Sequence, residues 1–535
     1  MWDQVWLPCL TGLLCTFILE MAAQPRPQRP WRRGWQATLA HLGIWFMGFG
    51  LVLFVFQRPW LGIANLLGFL LLLIIIGKVK IATLREPFIY TDFEYFSDAI
   101  RHPRLYLPFF GVRNALLGAA GYLLMLFAGL HLEPSATPQW LCEGVSSTTL
   151  AYLPCWMAGS LLLACSLMGS GAGLLWLAGR RPVGLTFDAN RDQSALGLLY
   201  CWWRYRQEER KPLVLSAQAP FHVRAGKGTV YADNTGPDAQ LPDIVFLQCE
   251  SFFDLRRTFP TVRQDILQSF DQCRAQSLLS GRLHVPAWGA NTVRTEYAVL
   301  SGIDPVLLKA HQYNPYRRLA QHLVPTLATF LSELGYRTIC VHPYAPTFYR
   351  RSKAMPAMGF QQFLSLDAFA HAPRFGSYIS DQAVAQKIVA LLGHARRQPL
   401  FIYAITMENH GPLQWEAVDQ TESFSYFSER LPDGCRDLVA YARHIANADR
   451  MIKTVSQALA GQREAAALCV FGDHVPIMPT VYARLGQPEQ STDYFCWTNE
   501  PLRARRSANL ARTVTDLSAH QLSTAFLAAA GIRSS

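Results

Sequence analysis

Residues 244–253 read IVFLQCESFF, and the first five decide how the second half of the chain folds. Ile244–Gln248 is a short, mostly apolar run of the kind that forms a strand buried on both faces of a sheet. Similar runs recur at Thr338–Val341 (TICV), Leu400–Ile405 (LFIYAI) and Ala466–Phe471 (AALCVF). Amphipathic helical patterns fill the intervals, over Arg263–Gln276, Val324–Leu334, Asp381–Arg396 and Leu438–Leu459. Such alternation predicts an α/β domain with a mainly parallel central sheet. Ligands of open parallel sheets bind beyond the carboxyl ends of the strands, so the chemistry is sought there.

Two of those ends carry metal-type ligands. Glu250 falls just past the first strand, and Phe471-Gly472-Asp473-His474 places an acid and an imidazole past a late one. Carboxylates with an imidazole suit a divalent cation such as manganese, magnesium or zinc. An isolated Asp-His pair is more often a cap or a surface contact, but two ligand-bearing ends on one sheet fit that reading poorly. Between them, Gly289-Ala290-Asn291-Thr292 precedes a helical pattern over Val293–Leu300. Thr292 is therefore expected at a helix N-terminus, where free N–H groups and the helix dipole favour phosphate. A metal or a base would turn its hydroxyl into a nucleophile. The segment reads equally well as a plain N-cap with Glu296 nearby, and the residues alone leave both open.

Outward from this domain the composition changes. Only 16% of the 535 residues are charged, against about 25% in ordinary soluble proteins. Half are hydrophobic, which excludes a disordered chain, and nearly all the long apolar runs lie before Arg180. Five stretches are expected to cross a bilayer: Trp6–Ala23, Ala37–Phe56, Trp60–Gly77, Asn114–Leu130 and Trp156–Ala178. The first carries Asp3 and no Lys or Arg ahead of its apolar run, unlike a cleavable signal peptide. The expected organisation is a transmembrane domain over 1–181, a juxtamembrane linker over 182–240 and a catalytic domain over 241–535. Leu198–Arg206 (LLYCWWRYR) suits a helix lying in the membrane interface and, equally, a surface helix of the next domain.

The loops pose a conflict of orientation. Arg26, Arg29, Arg32 and Arg33 mark the first loop and Lys78, Lys80, Arg85, Arg101 and Arg104 the third, whereas residues 131–149 hold no Lys or Arg. The positive-inside rule then puts the C-terminal part in the cytoplasm. The net charge of +11 is spread thinly, with no dense basic stripe, so no nucleic-acid partner is expected. Twelve cysteines occur singly, without C-x-x-C pairs, and imply no disulfide framework.

Five segments in order carry a resemblance: CESFF (249–253), GANTVRTEYAVLSG (289–302), TFYRRSKAMPAMGF (347–360), MENHGPL (407–413) and FGDH (471–474). Together they resemble the lipoteichoic acid synthases and phosphoglycerol transferases of the sulfatase-like, alkaline-phosphatase superfamily. The resemblance covers roughly residues 243–532, and five spans ahead of the catalytic domain also suit it. It implies that Glu250, Asp473 and His474 hold one divalent metal, manganese first among candidates, with the Thr292 hydroxyl as a further ligand and the nucleophile. It implies that His410 contacts the head group and serves as acid or base, that Arg351 binds the phosphoglycerol (Arg350 being the fallback), and that Tyr349 lines that pocket. A phospholipid donor, phosphatidylglycerol first, and an envelope glycan or polymer acceptor follow, as does a multi-pass membrane protein with its catalytic domain outside. Phosphoethanolamine transfer and lipid phosphodiester hydrolysis are the alternatives. Gln248 and Tyr344 depart from the synthases at head-group positions, and none of the cysteines lies in the Cys-x-Pro-x-Arg motif of sulfate-ester hydrolases.

Overall fold

A computed structural model describes residues 2–101, 111–135, 152–213, 215, 218–221, 241–317, 324–419, 421–505 and 512–532. Arg104, most of the 131–149 loop and most of the 212–240 part of the linker lie outside them. The chain divides into two compact units, Met1–Lys211 and Pro212–Ser535.

The first unit is helical. Its main helices are α1 (Leu7–Glu20), α2 (Trp35–Phe56), α3 (Pro59–Leu84), α4 (Val112–Leu132) and α5 (Tyr152–Arg180). Among the described residues, three segments are long and apolar enough to cross a bilayer: Trp35–Phe56, Pro59–Leu84 and Leu161–Arg180. The stretches expected as first and fourth spans form shorter apolar helices, Gln4–Glu20 and Leu116–Leu132. Pro59 starts α3 where its missing N–H costs nothing, which makes the α2–α3 turn tight. Glu133 secures that turn, accepting from the N–H groups of Trp60 and Leu61 at 2.8 Å each. Helices α2 and α5 meet through Gly43 and Gly171, where a Cβ on either would stand 2.7 or 2.5 Å from the other's carbonyl oxygen. Small residues of this kind let helix backbones approach in an apolar medium.

Two short helices, α6 (Ala189–Leu196) and α7 (Leu198–Glu209), complete the unit. Asp188 caps α6 by accepting from the N–H groups of Asn190 and Arg191. The LLYCWWRYR segment is α7, and its aromatic face is buried in the unit: Trp202 Nε1 donates to Phe88 O at 2.7 Å and its ring packs edge-on to Phe88 and Phe93.

The second unit is built on a nine-stranded sheet. Its strands are β1 (Asp243–Cys249), β2 (Leu279–His284), β3 (Arg337–Val341), β4 (Gln362–Leu364), β7 (Leu400–Ile405), β8 (Ala466–Gly472), β9 (Ser491–Thr498), β10 (Thr513–Val514) and β11 (Leu517–Ser518). A separate two-stranded ribbon joins β5 (Arg374–Phe375) to β6 (Tyr378–Ile379). The order is β10-β2-β9-β8-β1-β7-β3-β4, with β11 also pairing β2. Among the described residues only β9 runs antiparallel to its neighbours in this sheet, so the mainly parallel sheet expected from the sequence is present.

All four expected strands form, β1 at the centre between β8 and β7. Alternate β1 residues serve two cores. Val245, Leu247 and Cys249 join Ile402, Leu468, Val470 and the helices α9 (Asp381–Gly393) and α10 (Arg436–Ala460). Ile244 and Phe246 join Phe401, Tyr403, Cys469, Phe471 and the helix α8 (Thr292–Ser301). Burial on both faces explains why these strands read as unbroken apolar runs. Glu250, His410 and the Asp473–His474 pair follow the carboxyl ends of β1, β7 and β8, and Thr292 opens α8.

Candidate active site

Glu250 follows β1, and Asp473 and His474 follow β8, so the parallel pairing of these strands brings the three together. One ligand atom from each lies within 4.8 Å of the others, and all three side chains are buried. His474 Nε2 stands 3.4 Å from Glu250 Oε1 and 3.5 Å from Asp473 Oδ2. His474 Nδ1 lies 3.0 Å from Val475 O, so it carries the proton and leaves the Nε2 lone pair facing the carboxylates. Asp473 Oδ1 accepts from the N–H groups of Ser251 and His474, while Oδ2 is buried with no hydrogen-bond partner among the described residues.

This arrangement is electrostatically strained without a cation. Burial and then the neighbouring Glu250 push the Asp473 carboxyl up to about 7, and burial raises Glu250 as well. Burial would lower His474, but Asp473 and Glu250 outweigh it and raise it. Two carboxylates and an imidazole with an orphaned oxygen between them fit a divalent cation, which would replace this repulsion by ligation.

Thr292 opens α8 rather than capping it. The cap is Asn291, held in the left-handed region at φ 63°, with no side-chain cap bond. Thr292 Oγ1 approaches His474 Nε2 at 3.4 Å, so the hydroxyl joins the metal-type cluster. Thr295 Oγ1 donates to Asp473 O at 2.8 Å and pins the helix to that strand end. Ser251, also at positive φ, donates from Oγ to Glu250 Oε1 at 2.9 Å. Backbone held in this region at two non-glycine residues around one cluster is a hallmark of a site over-determined by its surroundings.

His410 lies on the loop after β7. Its Nδ1 stands 2.8 Å from Gly411 O and must donate there, which leaves Nε2 as a free acceptor. Burial lowers its pKa to about 4, so the ring is neutral near pH 7. Tyr378 from β6 braces it, its hydroxyl donating to the same Gly411 carbonyl at 2.9 Å. Asn409 ties the loop to the metal-type cluster, its Nδ2 donating to Glu250 O and Ser251 O at 3.1 and 3.3 Å.

Arg351 is buried and already engaged. Its guanidinium forms a two-pronged ion pair with Glu296 on α8, and its Nη1 lies 3.2 Å from His342 Nε2. Tyr316 also donates to Glu296 at 2.7 Å. Burial opposes the Arg351 charge, but Glu296 overcomes it and holds the group protonated. The Tyr349 ring lies against this guanidinium at 5.3 Å, whereas Arg350 belongs to the preceding short helix.

The structure brings Glu250, Thr292, Asp473 and His474 together, and the residues that brace them carry no mark in the motifs. Ser251 and Asn409 stood inside quoted motifs without an assigned part. Glu296 entered only as a neighbour of Thr292, and neither its tie to Arg351 nor that of His342 is marked in the sequence. The anchor beneath the His410 loop went unseen: Glu408 accepts from Asp381 N at 2.6 Å and pairs with His444, which also reaches Glu416 at 2.8 Å. Asp381 and His444 lie on helices distant in sequence from Glu408, and no local pattern marks them.

With this geometry in hand, the chain can be set beside known proteins. The sulfatase family model matches residues 242–532. The capsular polysaccharide biosynthesis protein RkpI of Rhizobium meliloti (strain 1021) is 32% identical over 271 residues, 50% of this chain and 47% of that protein. The chain spans about half the length of the curated relatives it matches, or less. The integral membrane lipooligosaccharide phosphoethanolamine transferase EptA from Neisseria meningitidis shares the fold at a TM-score of 0.50 and 12% identity, covering 99% of this chain and 96% of that one. The Streptococcus pyogenes phosphoglycerol transferase GacH aligns at a TM-score of 0.45 and 18% identity, over 62% of this chain and 80% of that one. The match of one family model to more than half the chain, over the segment that carries the Glu250–Asp473–His474 cluster and Thr292, shows that this protein belongs to the sulfatase family.

Proposed function

We propose that the chain is a multi-pass membrane phosphotransferase that moves the phosphoglycerol head group of phosphatidylglycerol to a hydroxyl of a cell-envelope glycan or polymer. The observation that carries this reading is the Thr292 hydroxyl at the N-terminus of α8, 3.4 Å from the imidazole of a buried Glu-Asp-His cluster. Glu250, Asp473 and His474 would hold one divalent cation, with Thr292 as a further ligand. Such an ion, manganese in our reading, would lower the pKa of the hydroxyl and offset the charge that builds on phosphorus-bound oxygens.

The protein's own residues then account for two displacements. Thr292 Oγ forms a bond to phosphorus, the bond from phosphorus to the diacylglycerol oxygen breaks, and that oxygen leaves with a proton. The N–H groups that open α8 face the phosphoryl oxygens. An acceptor hydroxyl next bonds to phosphorus, the Thr292 Oγ–phosphorus bond breaks, and the acceptor loses its proton. His410 Nε2, neutral and unprotonated, suits the removal of that proton or a hydrogen bond from the head group. Tyr349 forms the wall against which the head group rests, with the Arg351 guanidinium behind its ring. The capsule-related name of the 32% identical relative supports a glycan acceptor.

We read all five apolar helices of the first unit as spans and place the catalytic domain on the outer face, against the loop charges. A cysteine introduced at exposed Ser428 should react with an impermeant thiol reagent in intact cells; reaction only after lysis would reverse the topology.

Turnover tests the chemistry. The full chain in detergent with Mn²⁺ is given labelled phosphatidylglycerol or phosphatidylethanolamine, and diacylglycerol release is followed beside Thr292→Ala. Release from phosphatidylglycerol that disappears in the variant supports the proposal. Release from phosphatidylethanolamine alone would reassign the donor, and Thr292-independent release would remove the covalent step.

A further inference from the structure

The helical unit has two unlike ends, and named contacts fix what shares one of them. Gln36 Nε2 donates to Arg181 O at 3.0 Å, joining the start of α2 to the end of α5. Asn190 Nδ2 donates to Arg85 O at 2.9 Å, bringing the end of α3 to α6. Gln193 Nε2 donates to Gln24 O at 2.9 Å, and Leu198 N donates to Glu20 Oε1 at 2.6 Å, joining the end of α1 to both short helices. The opposite end holds the α2–α3 turn, where Arg58 Nε donates to Glu133 O at 2.8 Å beside the Glu133 carboxylate.

The first end is strongly cationic. Arg26, Arg29, Arg32, Lys78, Arg180 and Arg181 are exposed there. Their neighbours Arg33, Lys80 and Arg191 pair with Glu20, Asp92 and Asp188, whereas these six form no ion pair among the described residues. Three large indoles stand among them: Trp31 is 75% exposed, Trp35 53% and Trp176 62%. Arg29 lies over the Trp31 ring at 5.6 Å and Arg180 over Trp176 at 4.7 Å.

Exposed indoles beside unpaired cations at the rim of apolar helices have the composition of a bilayer–water boundary. The rings sit at head-group depth, and guanidinium groups match phosphate in geometry and charge. We infer that this end of the helical unit is a collar that binds anionic phospholipid head groups, with Arg29, Arg32 and Arg181 as its main phosphate contacts. The inference goes beyond the transfer reaction, because it needs neither Thr292 nor the metal-type cluster. It gives the basic loops a role of their own, whichever face of the membrane they occupy.

Lipid selectivity tests it directly. The full chain carrying Thr292→Ala is placed in phosphatidylcholine vesicles with spin-labelled phosphatidylglycerol or spin-labelled phosphatidylcholine, and the immobilised fraction of each probe is measured. The anionic probe should be preferred about threefold, given the attraction of clustered basic residues for anionic lipid. The preference should decline as salt screens it. In R29Q/R32Q/R181Q it should fall below about 1.5-fold with an unchanged circular dichroism spectrum. Equal immobilisation of the two probes overturns the proposal, as does a triple variant that keeps the full preference. If that variant does not fold, the salt titration decides: a preference that salt leaves untouched overturns it equally. No turnover enters the readout, so failure of the transfer reaction and failure of the collar are separate results.

Discussion

Arg351 is among the largest fully buried side chains, and the Glu296 carboxylate engages two prongs of its guanidinium fork, Nε and Nη2. A buried charge that loses its partner is costly, by about 3–5 kcal/mol. Arg351→Met should therefore lower the melting temperature of the full chain sharply, through the Glu296 charge left behind on the helix that opens with Thr292. Tyr349, only partly buried against the same guanidinium, should behave differently: Tyr349→Ala is expected to raise KM for the lipid donor several-fold while the melting temperature moves little. A stable Arg351→Met protein with a raised KM would make the arginine a head-group ligand first. The three histidines here share one device. His342, His410 and His474 each direct Nδ1 at a main-chain carbonyl, of Ile405, Gly411 and Val475, so each has Nε2 as its acceptor nitrogen, which in His342 is taken by Arg351 Nη1.

At the scale of elements, the loop after β7 is held from beneath. Glu408 accepts from the N–H that opens α9 and pairs with His444 on α10, and the same imidazole bridges to Glu416. Burial would lower the His444 pKa, but its hydrogen bonds to Glu408 and Glu416 raise it from 6.5 to about 9. A group whose pKa rises on folding stabilises fully below its unfolded value and ceases to do so as pH climbs through its folded one. The wild-type melting temperature should thus decline between about pH 6.5 and about pH 9.5, while His444→Gln gives a lower and flatter profile. A flat wild-type curve would mean that the imidazolium is not formed. The central strands were legible because they are buried on both faces and carry no competing period. Strand β9 was not, since its STDYFCWT pattern mixes polar and aromatic residues that only the antiparallel pairing with β2 and β8 buries. The Arg263–Gln276 pattern overran its helix, which begins at Gln268 after a single tighter turn.

Taken whole, the molecule joins a helical unit to an α/β unit, and the cluster between β1 and β8 is the place where one ion changes the stability of the latter. Titrating the metal-stripped full chain with Mn²⁺ should raise its melting temperature; at a hundredfold excess over the dissociation constant the gain is about 2.7 kcal/mol. Asp473→Asn should lose most of that gain, and a chelator should reverse it. A melting temperature indifferent to Mn²⁺, Mg²⁺ and Zn²⁺ would remove the metal from the site. Much of this cluster was readable because ligands that follow parallel strands must converge at one end of a sheet. The ties among Arg351, Glu296 and His342 were not, because residues 55 and 9 apart in sequence meet only through packing.

Gly472 gives the cluster one more property. A Cβ there would stand 1.8 Å from the carbonyl oxygen of Phe252, so the residue before Asp473 lies hard against the segment that follows Glu250. The donors are thus mounted on two adjoining strands with nothing compressible between them, and their separation reports the spacing of the sheet. Slow heating should accordingly release the ion, and end turnover, before the helical signal begins to fall. Gly472→Ala, by wedging the strands apart, should weaken Mn²⁺ binding even where the variant still folds, so that the site acts as a gauge of its own scaffold.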